Sequence, residues 1–108
     1  MSHITDIMIT ISLEEGDNLV PLLNKWLDEH FSSKNRFEKI EGAKNRTWHI
    51  WQFDLFVGAF NYLFIEEFLT FFWTLDWEEE TQLFMKDENE IRFQELKKGD
   101  AYQYIGDK

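Results

Sequence analysis

Between Trp48 and Trp77, twelve of thirty residues carry aromatic rings. Side chains of that size are withdrawn from water only by a layered interior, so the fold must be one that gives them a place to pack. The bilayer is not that place. Asp54, Asn61, Glu66, Glu67 and Asp76 interrupt the stretch from Phe53 to Trp77, and no run of about 18 apolar residues survives for a membrane span. With 108 residues the chain has the size of one domain, and a single core within 1–108 is expected.

Hydrophobic periodicity divides the chain into elements. Ile7, Ile9, Ile11 and Leu13 alternate with Met8, Thr10 and Ser12, a period of two that predicts a strand over 4–14. Gly16, Asp17 and Asn18 make a turn, and Pro21 suits the first turn of a helix over 19–31 whose apolar stripe is Leu19, Leu22, Leu23, Trp26, Leu27 and His30. A charged edge strand is expected over 36–41 and a turn over 42–46. From Thr47 to Val57 both alternating phases are largely apolar, the pattern of a central strand covered on both faces. Gly58 marks a bulge or a close backbone approach.

Asn61 is placed to cap a second helix striped by Ile65, Phe68, Leu69, Phe72 and Leu75. Strands are expected over 81–86 and 91–96, with a short strand or tail over 102–105. The order β-α-β-β-α-β-β predicts an α+β domain of ferredoxin-like β-α-β-β-α-β outline. It is a two-layer sandwich with both helices on one face and an extra C-terminal strand.

Charge narrows the function classes. A formal net charge of -10 repels nucleic-acid backbone and anionic lipid, so neither is expected as a partner. The balance is uneven: Lys34, Arg36, Lys39, Lys44 and Arg46 against Glu38 and Glu41 give residues 34–46 a local +3 and leave -13 elsewhere. Cysteine is absent, which removes disulfides, thiolate metal sites and a Cys nucleophile. The first residues show neither a basic nor an apolar leader segment, and a cytoplasmic location is expected.

Catalytic motifs are missing. His3, His30 and His49 show no metal-binding spacing, and no glycine-rich phosphate loop or nucleophile elbow occurs. The acidic runs at 14–17, 76–80 and 87–90 lack the alternating ligand spacing of a calcium loop and read as solvated turns. No metal and no cofactor are expected. Asp54 stands out because it interrupts the most apolar strand, where an unpaired carboxylate is costly. It is either a residue with raised pKa acting as a base, or one that reaches solvent or an ion-pair partner.

Two functional expectations follow. The first is a non-enzymatic interaction domain, such as an immunity or inhibitor protein, steering onto a basic partner through an aromatic patch of Phe64, Phe71, Trp73 and Trp77 and the acidic run Glu78, Glu79 and Glu80. The second is a homodimeric α+β barrel, two sheets face to face around an aromatic pocket with His49, Trp51 and Asp54 as its candidate residues. By alternation His49 and Asp54 point to opposite faces of one strand, so they are not an acid-base pair.

Overall fold

The structure, a computed structural model, describes residues 4–12, 14–30, 35–40, 53–77 and 81–103. Its elements are β1 (Ile4–Ser12), α1 (Gly16–His30), β2 (Glu38–Ile40), β3 (Phe53–Asn61), α2 (Ile65–Thr74), β4 (Gln82–Asp87) and β5 (Gln94–Leu96), in the order that the periodicities predict. All strands belong to one antiparallel sheet, ordered β2-β3-β1-β4-β5.

The strand with the cleanest alternation takes the centre. Ile7, Ile9 and Ile11 are at most 1% exposed. Directly opposed residues of a ladder share a face. Ile7 lies opposite Gly58 and Met85, and Ile9 opposite Phe56 and Leu83. One face of the sheet therefore gathers aliphatic and aromatic side chains from three neighbouring strands.

Val20, Leu23 and Leu27 of α1 and Phe68, Leu69 and Phe72 of α2 complete the same buried cluster. Both helices lie on that one face: Trp26 of α1 stacks on Phe71 of α2 at 5.2 Å, and Phe68 reaches Phe37, which in turn packs on Phe60 of β3. Each of these fully buried side chains contributes about 1.5–3 kcal/mol. The aromatic excess of the sequence is spent largely here, with Phe37, Phe56, Phe60, Phe68 and Phe72 buried and Trp26, Phe71, Trp73 and Trp77 packed against them.

Two glycines permit close approach. A Cβ on Gly16 would stand 2.5 Å from the Phe56 ring, and one on Gly58 would stand 2.6 Å from the Phe60 ring. Gly58 is paired in register with Ile7, so it admits rings over the sheet and makes no bulge.

Several boundaries differ from expectation. Helix α1 begins at Gly16, which leaves Pro21 inside the helix, where the Asp17 carbonyl has no N–H to accept from. Asn61 is the last residue of β3 and not the N-cap of α2; Tyr62 then turns the chain with φ 58° and Phe64 takes the N-cap position without a side-chain cap hydrogen bond. Residues 91–93 are not strand, and β5 is confined to 94–96. The described part of the expected 102–105 strand is irregular: Tyr102 is buried, and the Gln94 side chain, in place of a strand backbone, binds the main chain of Gln103. The expected turn over 42–46 and the start of the strand at 47–52 lie outside the described residues.

Candidate interaction surface

The second face of the sheet has a different composition. Among the described residues no helix or strand packs on it, although both phases of β3 are apolar. On this face Leu55 and Val57 of β3 are half-buried and Phe53 is exposed. Register assigns the side chains to rows. One row runs Glu38, Val57, Met8, Phe84, Glu95 across all five strands, and the next runs Ile40, Leu55, Thr10, Gln82. Phe53 lies beyond them on β3.

The centre of this face is apolar and its margins are polar. Met8, Leu55, Val57 and Phe84 are half-buried, while Ile40 and Phe53 are 37% and 40% exposed. Thr10 donates to the Gln82 side chain at 3.1 Å and Gln82 donates to Glu95 at 3.2 Å, a polar chain leading to the β5 edge. Lys86 and Asp6 stand 3.9 Å apart at one end. A shallow concavity of about 550 Å³ crosses the face, floored by Met8, Val57 and Ala59 and walled by Phe93 on one side and Arg36 and Glu38 on the other.

The aromatic candidates read from the sequence lie in the opposite layer. Phe71 stacks on Trp26, Trp73 meets Phe72 edge-on, and Trp77 stacks on Phe72 at 4.5 Å while its indole N–H donates to the Phe72 carbonyl. It is the second donor to this carbonyl in the last turn of α2, which also accepts the Leu75 N–H at 3.3 Å. Phe64 alone of the four is exposed, at 61%. Glu78, Glu79, Glu80, His49 and Trp51 lie outside the described residues.

Asp54 is buried on the helix side of the sheet and is fully engaged in structure. Its Oδ2 accepts the Glu14 N–H at 2.8 Å and lies 3.4 Å from the Lys39 ammonium, which also binds Asp17 at 3.3 Å. Glu14 adopts φ 71°, an unfavourable conformation for a residue with a Cβ, and Asp54 holds it there. The hydrogen bond that Lys39 donates to Asp17, with the Asp54 charge added, raises the Lys39 pKa above 10.5 against the opposing effect of burial. Arg36 pairs with Asp28 at 3.1 Å. Two cations of the basic segment thus neutralise α1, and the acidic balance is left to the rest of the surface.

A second groove, of about 510 Å³, lies between the outer faces of the helices. His30 stacks on Trp26 at 4.6 Å and shares a hydrogen bond of 2.9 Å with the Trp26 carbonyl. Since a carbonyl only accepts, His30 Nδ1 carries the proton. Glu66 and Glu67 border this groove, yet no three His, Asp or Glu side chains among the described residues are placed to hold a metal. No helix among them is long and apolar enough to cross a membrane.

Comparison with protein families, with curated proteins and with solved structures finds no match. The case for function therefore rests on the surfaces themselves.

Sequence reasoning missed Met8, Leu55, Val57 and Phe84. The one available signal was that β3 is apolar in both phases, which fits a covered face and a docking face equally well.

Proposed function

We propose that the protein is a non-enzymatic interaction domain that binds a basic partner protein, as an immunity or inhibitor protein does, through the face of its sheet opposite the helices. One observation supports this reading: an apolar centre of Met8, Leu55, Val57 and Phe84, half-buried and covered by no described helix or strand, is bordered by Glu38 and Glu95, with Arg36 and the Asp6–Lys86 pair also on its margin, on a chain of net charge -10. An apolar centre inside a charged rim is the anatomy of a protein interface, and the net charge of -10 favours a cationic partner. The sheet order, with β1 between β3 and β4, supports a ferredoxin-like arrangement with β5 added at the edge.

The concavity on the same face favours one other reading, a homodimer whose second sheet would close it into a pocket. Charge weighs against that. A two-fold axis through Met8, along β1 or across the strands, lays the Glu38 and Glu95 edges of one copy against acidic edges of the other. Light scattering across a hundredfold dilution separates the two, together with titration against small basic nucleases and toxins at rising salt. A monomer whose binding weakens with salt and is lost in Val57→Lys is the expected result. A dilution-resistant dimer that Val57→Lys dissociates would establish the homodimer instead.

A further inference from the structure

Resting on that reading, we infer that the segment received by the sheet face opposite the helices, which no described helix or strand covers, is an amphipathic helix with basic residues flanking its apolar stripe. The main-chain groups of β3, β1 and β4 are committed to one another along the ladders, so the face offers side chains alone and no edge to extend. A strand or loop laid upon it would bring its own N–H and C=O groups against Met8, Leu55, Val57 and Phe84 with nothing to pair them. A helix arrives with those groups already satisfied.

Dimensions agree with this occupant. Glu38 and Glu95 end a row five strands wide, and four strand spacings put them roughly 19 Å apart. A helix about 10–12 Å across, lying along β1 and β3, fits between them and leaves gaps of about 4 Å on either side. Lysine or arginine side chains span such gaps while their stems cover apolar surface. Lengthwise, the distance from Phe53 to Ala59 is roughly 20 Å, or about 13 helical residues.

The probe is an 18-residue leucine/lysine peptide patterned at helical period, set against an isomer of the same composition patterned at period two. Fluorescence anisotropy reads affinity, and circular dichroism reads helix formation. The helical peptide is expected to bind one site, gain helicity, lose at least tenfold affinity in Val57→Lys and in Glu38→Lys/Glu95→Lys, and be indifferent to Phe64→Lys at the start of α2. Equal binding by the period-two isomer, with the same sensitivity to Val57→Lys, would overturn the helix while leaving the docking face in place. Binding that ignores Val57→Lys, or no binding at all, would overturn both.

Discussion

The two faces of β1 share one backbone and differ in every other respect. Toward the helices, Thr5, Ile7, Ile9 and Ile11 are at most 1% exposed and sit among rings and aliphatic chains. Toward the open side, Asp6, Met8 and Thr10 are half-exposed, and the composition grades from an apolar centre to charged margins. A single strand thus separates the work of stability from the work of recognition, because alternate residues answer to different neighbours. Substitutions on the two faces should then act almost independently.

That independence can be broken at graded points. Phe72→Ala removes a fully buried ring that touches Phe68, Trp73 and Trp77, and should cost about 3–5 kcal/mol by urea unfolding. Ile9→Ala is expected to cost about 2–5 kcal/mol, whereas Met8→Ala next to it in the chain should cost under about 1 kcal/mol. Equal costs at positions 8 and 9 would mean that the second face is also a core.

Smaller changes sharpen the contrast. Gly58→Ala presses a methyl into the Phe60 ring and should destabilise by about 1–3 kcal/mol. Asp54→Ala strands the Glu14 N–H and should cost about 1–3 kcal/mol, while Asp54→Asn keeps an acceptor and should recover part of the loss.

The least effect belongs to Lys39. Its pKa in the folded chain is raised above 10.5, so its contribution is complete below that value and is lost as pH rises through the folded value. Melting curves of Lys39→Met should accordingly lose less stability on the alkaline side than the parent.

Legibility in the sequence followed locality. Helix stripes and the alternation of β1 depend on neighbours a few residues away, and the element order could be read from them. The open-face patch could not, because Met8, Val57 and Phe84 become neighbours only through a register joining three distant strands. The Asp54 anchor was hidden for the same reason: its partner is a main-chain N–H forty residues earlier. The start of α2 is not legible at Asn61, because a residue suited to capping there serves as the last residue of β3, an extension that depends on pairing with β1.

The position of β1 also has a consequence for biosynthesis. This strand is translated before either of its neighbours, and the last of them, β4, ends at Asp87. Until Asn61 has been made, Ile7, Ile9 and Ile11 lack both strands that they pair with. The nascent chain therefore carries this isoleucine-rich strand unpaired through the synthesis of α1 and β2, and paired on one side alone until β4 follows.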